Sequence, residues 1–348
     1  MDIRELFRQA IGLGASDVLL TAGSPPVFRV DGEVRPQGDQ PVSDDLARQM
    51  IHSLLSKEQV QRLTEFRELD FGFEAHGWRF RGNAFFTRRG IGANYRLLSN
   101  TIPTLQELAL PGTLAEIAME HSGLVLVTGP TGHGKSTTLA AMVDIINRSR
   151  RAHVVTVEDP IEYVHENRLS VIDQREVGSD TLSFAGALRH VLRQNPDVIL
   201  IGEMRDLETI SLAITAAETG HLVMSTLHTV NAAQTVDRMI DVFPPNQQEQ
   251  IRAQLSLCLI AVLAQRLLPR KTGRGRIVAT ELLRRTHALG TMIRDGNTHQ
   301  IYSLLETNAK LGLHTMDSSI KRLYLEGLIS LETAREHIRD SRMLPARE

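Results

Sequence analysis

The densest chemical pattern in the sequence is GPTGHGKST, residues 129–137. Gly129, Gly134, Lys135 and Ser136 fit G-x-x-x-x-G-K-[ST], a loop built to bind phosphate. Glycine lets the backbone curl until successive N–H groups point at one anion. A lysine in this place reaches the β- and γ-phosphates of a nucleoside triphosphate, and the following hydroxyl ligates Mg²⁺. Gly129, Pro130, Thr131, Gly132, His133, Gly134, Lys135, Ser136 and Thr137 are therefore candidates for contact with ATP, and Ser136 for contact with Mg²⁺.

Three more polar clusters follow apolar runs. In VVTVEDPIEYVHE, Glu158, Asp159 and Glu162 offer carboxylates. Hydrolysis of ATP needs a group that orients or deprotonates water in line with the γ-phosphate, and a carboxylate serves. Alone, such a triplet would be a solvated acidic turn. PDVILIGEMRD ends an apolar run in Gly202-Glu203, where many phosphate-loop enzymes carry an aspartate for the Mg²⁺ shell. Glu203 is the metal candidate, and a strand-end salt bridge to Arg205 is the alternative. In GHLVMSTLHTVNA, His221 and His228 bracket a strand. A histidine can hydrogen-bond a phosphate oxygen. By position alone His228, after the strand, is functional and His221, at its start, structural.

These groups need a scaffold that brings strand ends together. Residues 124–128 (LVLVT) are apolar like a buried parallel strand, and Leu139, Met142, Val143 and Ile146 recur at helical spacing. The helix N-terminus would then face the bound anion. Further strands are expected at 153–157, 197–201, 222–226 and 276–282, with helices at 136–148, 181–194, 206–218 and 231–240. This alternation predicts an α/β domain, a mostly parallel sheet with helices on both faces and the ligand outside the carboxyl ends of the strands. From about residue 286 the pattern is helical, with Met292, Ile293, Ile301, Leu304 and Leu305 as one apolar group and Met316, Ile320, Leu323 and Leu328 as another.

The first hundred residues read differently. A helix is expected over 3–14 and two strands within 15–36, with a turn at Asp31-Gly32. A helical stretch over 43–66 has Ser43 as N-cap, and two or three antiparallel strands follow over 69–98. That is a smaller α+β domain. Residues 100–112, with two prolines, read as a linker to a domain over 113–348.

The chain has 348 residues, 42% hydrophobic and 23% charged, within the range of globular proteins. Its net charge of −2 gives no support for a nucleic-acid partner. The single cysteine, Cys258, lies in an apolar run and reads as inert core; one cysteine excludes an intrachain disulfide framework and fits a reducing cytoplasm. The N-terminus is charged where a signal peptide needs an apolar stretch, and the longest apolar run, 255–264, is too short to span a bilayer. Membrane association would therefore go through partners.

Taken together, GPTGHGKST, VEDPIE, DVILIGEMRD and GHLVMSTLHT resemble the PilT family of type IV pilus retraction ATPases, within the secretion-ATPase superfamily. The resemblance extends from ASDVLLTAGSPPVFRVDGEVRP to HTMDSSIKRLYLEGLIS, essentially the whole chain. It implies a PAS-like N-terminal domain over 1–99 joined to a RecA-like P-loop ATPase domain, assembled as a homohexamer in the cytoplasm at the inner-membrane base of the pilus, on a platform protein. It implies that Glu162 is the catalytic glutamate and Glu203 an atypical Walker B glutamate. His221 and His228 form a histidine box, and Arg81 and Arg96 of the N-terminal domain reach the nucleotide. Without the resemblance, Arg79, Arg81, Arg88, Arg89 and Arg96 would read as solvated strand residues. The family's AIRNLIRE signature is eroded here to ALGTMIRD, 288–295. That leaves open an accessory paralogue of the PilU type, which would pair with a paralogous pilus ATPase, or a nucleotide-binding regulatory ring member. A DNA-uptake or traffic ATPase is a further alternative. Pilus-extension and type II secretion ATPases commonly add N-terminal regions and a four-cysteine zinc module, against which the single cysteine argues.

Overall fold

The computed structural model describes residues 2–30, 32–98, 101–273 and 275–345. Contacts divide the chain into two compact units, Met1–Thr101 and Ile102–Glu348. Residues 99 and 100, the expected end of the first domain and start of the linker, lie outside the described residues.

The first unit runs α1 (Ile3–Gly12), β1 (Asp17–Thr21), β2 (Val27–Val30), β3 (Glu33–Pro36), α2 (Asp44–His52), α3 (Lys57–Phe66), β4 (Glu68–Ala75), β5 (Trp78–Thr87) and β6 (Gly90–Leu97). Its sheet has the order β3-β2-β1-β6-β5-β4 with every neighbouring pair antiparallel. Alternation builds it: β1 buries Val18 and Leu20 and leaves Asp17 and Thr21 half-exposed. Phe7 of α1 packs among Phe73, Phe80 and Tyr95 beneath the sheet.

Two expectations need correction. Three strands, not two, form between 17 and 36, because β2 and β3 double back around Gly32 at φ +83°. Asp31 of that turn lies outside the described residues. The helical stretch 43–66 is two helices, because it holds two caps: Ser43 accepts from the Leu46 N–H, and Ser56 forms a capping box with Gln59.

The second unit runs α4 (Thr113–Ala118), β7 (Gly123–Thr128), α5 (Lys135–Ser149), β8 (His153–Glu158), β9 (Val171–Glu176), α6 (Phe184–Val191), β10 (Val198–Ile201), α7 (Leu207–Glu218), β11 (Leu222–Leu227), α8 (Ala232–Asp241), α9 (Pro245–Cys258), β12 (Leu259–Pro269), β13 (Arg276–Arg284) and the helices α10 (His287–Arg294), α11 (Ile301–Thr307), α12 (Met316–Leu325) and α13 (Leu331–His337). The sheet order is β13-β12-β7-β11-β10-β8-β9, parallel except for the β12–β13 pair. β7 lies at its heart and is buried on both faces. Leu124 and Leu126 pack into one core, Val125 and Val127 into the other.

The sequence reading missed β9, β12 and α9. The apolar run 255–264 is not one element: it closes α9 and opens β12. Cys258 ends α9, buried, with its thiol pushed up to about 12 by desolvation, so it is inert core as expected. The expected helix over 181–194 is only α6, begun by the Ser183 cap. The two C-terminal apolar groups hold: Ile293, Ile301, Leu304 and Leu305 join the core of one sheet face, while Ile320 and Leu323 cover Leu268, Ile277 and Ala279 of β12 and β13. Among the described residues no helix is long and apolar enough to cross a membrane.

Candidate active site

The loop 129–134 joins β7 to α5 in left-handed backbone at three glycines, with φ +140° at Gly129, +75° at Gly132 and +81° at Gly134. Gly129 is required twice over, because a Cβ there would stand 2.3 Å from the Gln265 carbonyl oxygen. Gln265 belongs to β12, beside β7, and its side chain is the loop's strut. Its Nε2 donates to the His133 carbonyl at 2.6 Å and its Oε1 accepts from Thr138 Oγ1 at 2.9 Å. His133 Nδ1 accepts from the Leu267 N–H at 2.9 Å, and Arg276 donates to the Gly132 carbonyl at 3.3 Å. Burial, with Arg276 and Arg266 nearby, holds the His133 imidazole below its ordinary range and hence neutral. Gln265 was missed from the sequence; its signal was a polar pair, Gln265-Arg266, interrupting an apolar strand, and of the two Gln265 is buried.

Lys135 opens α5 and is buried. Its Nζ donates to the Gly129 carbonyl at 2.8 Å and the Pro130 carbonyl at 3.1 Å. Desolvation holds the ammonium below its ordinary range, while the carboxylates of Glu203 and Glu162 pull it up. The α5 N-cap is Gly134, with no side-chain cap and no acid in the first turn. The first-turn N–H groups are thus left to an anion, which fits a nucleotide phosphate. Ser136 and Thr137 follow, both half-buried.

At the carboxyl end of β11, His228 Nδ1 lies 3.5 Å from both Lys135 Nζ and Thr131 Oγ1. Its Nε2 lies 3.2 Å from Glu203 Oε2, just past β10. The other Glu203 oxygen takes Arg205 at 2.8 Å, so the salt bridge and the metal candidate coexist in one carboxylate. Three adjacent strands thereby deliver a cation, an imidazole and a carboxylate to one place. Mg²⁺ could be held there by Ser136 and Glu203 together with phosphate oxygens; among the described residues no cluster of three histidines, cysteines or acids would hold a metal alone.

The acids at and after the end of β8 divide. Glu158 turns back to accept from Thr156 Oγ1 at 2.8 Å and Gln174 Nε2 at 3.1 Å, and burial pushes its carboxyl up to about 7. Glu162 is half-buried in the following loop, its charge felt by Lys135. The next residue, Tyr163, bonds Thr137 through its hydroxyl at 3.1 Å.

Comparison with known proteins decides the family. The chain matches the type II/IV secretion system protein family over residues 3–334. It is 48% identical to the type IV pilus retraction ATPase PilT of Pseudomonas aeruginosa, over 97% of this chain and 98% of that protein. Against the type IV pilus ATPase PilU of the same organism it is 40% identical, over 97% of this chain and 88% of that one. A crystal structure of the pilus retraction motor PilT with bound ADP matches with a TM-score of 0.93 at 46% identity, covering 99% of each chain. The chain belongs to the PilT family of pilus retraction ATPases.

Three sets of PilT-family positions remain. His221 stands before the first residue of β11, roughly 20 Å of strand from His228. Its Nδ1 lies 3.0 Å from the Ala216 carbonyl at the end of α7. The structure therefore does not bring His221 to the phosphate loop of its own chain, because a strand separates the two histidines by its whole length. Arg81 and Arg96 belong to the first unit, directly opposite each other on β5 and β6, both exposed. Arg96 also meets Asp17 at 3.0 Å. Lastly, the eroded PilT signature lies on α10 and the residue after it, where Leu289 and Ile293 face inward. A Cβ at Gly290 would stand 3.2 Å from the Ser256 carbonyl, so the glycine lets α10 lie close on α9 where the signature has an arginine.

Proposed function

We infer that the chain is the ATP-hydrolysing subunit of a motor that retracts type IV pili. One observation carries this reading: His228 lies 3.5 Å from Lys135 and 3.2 Å from Glu203, so groups from three neighbouring strand ends meet through it beside an uncapped helix N-terminus. ATP is bound by residues 129–137, with Lys135 on the β- and γ-phosphates. Ser136 and Glu203 hold Mg²⁺, which neutralises charge on the phosphate oxygens. Glu162 orients the attacking water and takes its proton. His228 links the γ-phosphate position to Glu203, and His221 has a local role in seating β11. Arg81 and Arg96, opposite each other on β5 and β6 with Asp17 offsetting part of their charge, fit a cationic pair that meets the triphosphate. The PAS-like N-terminal domain, the homohexamer, the cytoplasmic position at the pilus base and the platform partner complete the reading. The ADP in the solved PilT structure supports the nucleotide.

The glycine at 290 favours one second reading, an accessory motor of the PilU type. A deletion strain separates the two. Surface pili that accumulate and cannot retract, with rescue by the wild-type gene but not by Lys135→Ala, support the principal motor. Normal twitching motility supports the accessory role and overturns the first.

A further inference from the structure

The segment between β8 and β9 that carries Glu162 contains no helix or strand. A general base works only if held within a fraction of an ångström, so something besides repetitive structure must hold it. Side chains do. Glu176 accepts from the Ile161 N–H at 3.0 Å. Asn147 donates to the Glu166 carbonyl at 2.7 Å and accepts from the Arg168 N–H at 3.1 Å. On the other side of Glu162, Gln174 of β9 holds the segment. Its Nε2 donates to the Tyr163 carbonyl at 2.9 Å and to Glu158 Oε1 at 3.1 Å, and its Oε1 accepts from the His165 N–H at 2.8 Å. Glu162 is thus held through its neighbours, by Glu176 on the N–H of the residue before it and by Gln174 on the carbonyl of the residue after it.

We propose that Gln174 is the positioning residue for Glu162 in ATP hydrolysis, an inference that rests on the hydrolytic reading of the site. The chemistry is specific to an amide. The loop presents two acceptors and one donor, and a glutamine offers two N–H donors and one carbonyl in a single side chain. A glutamate at 174 has no donor and sets a second carboxylate against Glu158. A methionine of similar volume leaves all three loop groups without these partners. The three bonds go to residues 158–165 and none to the phosphate loop. Loss of Gln174 therefore separates turnover from nucleotide binding.

The test uses the full-length protein with Gln174→Met and Gln174→Glu. Misplacing a catalytic group by about 1 Å costs on the order of 100-fold. The expected result is a kcat lowered about 10- to 100-fold, with the KM for ATP and the affinity for a fluorescent ADP analogue unchanged within about twofold. Amide hydrogen exchange over residues 161–165 should rise about tenfold or more, with residues 129–140 unaffected. Exchange at 161–165 that stays at the wild-type rate overturns the proposal. So does a kcat within about twofold of wild type, or a loss of ADP affinity in step with kcat, which marks a general structural role. If the wild-type chain hydrolyses no ATP, the motor reading fails by itself and the exchange measurement still decides Gln174.

Discussion

Tyr163 Oη lies 3.1 Å from Thr137 Oγ1, so the loop that carries Glu162 is bonded directly to the helix that opens with Lys135. The loop of Glu162 and the helix of Lys135 share a tie. A single hydrogen bond of this kind contributes roughly 0.5–1.5 kcal/mol. Tyr163→Phe should therefore lower kcat about two- to tenfold while leaving the KM for ATP nearly constant, as steady-state kinetics would read. A change confined to KM would mean that the tie serves binding only.

Two glycines of the loop should respond differently to alanine. At Gly129 a Cβ meets the Gln265 carbonyl at 2.3 Å in backbone at φ +140°, so Gly129→Ala combines a clash with strain. At Gly132 nothing lies within 4 Å and φ is +75°, which leaves strain alone, about 1 kcal/mol. Gly129→Ala should abolish nucleotide binding and lower the melting temperature by several degrees. Gly132→Ala should bind nucleotide with at most about a tenfold loss. Equal effects would contradict the close approach of Gly129 to the Gln265 backbone.

His228 stands between Lys135 and Glu203, 3.5 Å from one and 3.2 Å from the other. Its removal leaves the ammonium and carboxylate without their bridge. His228→Ala should cut kcat by about 100-fold or more, with a smaller loss of ATP affinity in a binding titration. Wild-type turnover would restrict the histidine to packing.

Glu158 sets a pH dependence of stability. Its folded carboxyl, pushed up to about 7 from an ordinary 4.5, binds a proton more tightly than in the unfolded chain. Its contribution to stability is thus fully present below about pH 4.5 and is lost as pH rises through 7, at no more than about 1.4 kcal/mol per pH unit. His165, held at about 4 by burial, acts in the opposite sense and loses its contribution as pH falls from 6.5 towards 4. Glu158→Gln mimics the protonated form and leaves His165 in place. The melting temperature of wild type relative to Glu158→Gln should therefore fall between pH 5 and about pH 8; a flat difference would show that Glu158 is ionised throughout.

The elements that frame the nucleotide were legible because their signals are local. An apolar run before the loop, glycines at fixed spacing and a 3.6-residue repeat after it all lie within 124–146. The supports were not legible. β12 is continuous in hydrophobicity with the end of α9, so no period marks where helix becomes strand. β9 is VIDQRE, too polar to stand out, and it is a strand because β8 pairs with it along its length. Gln265 and Gln174 act across 132 and 11 residues of chain, distances that motif spacing does not encode. His221 shows the converse: the shared motif groups it with His228, while within its own chain the length of β11 separates them.

The most direct test of the account is ATP turnover by Glu162→Gln measured beside ATP binding by the same variant. The amide keeps the shape of the side chain and removes its capacity to take a proton. The account predicts ATP affinity within about twofold of wild type and a kcat lowered at least about 100-fold. Turnover at the wild-type rate with binding intact would contradict it.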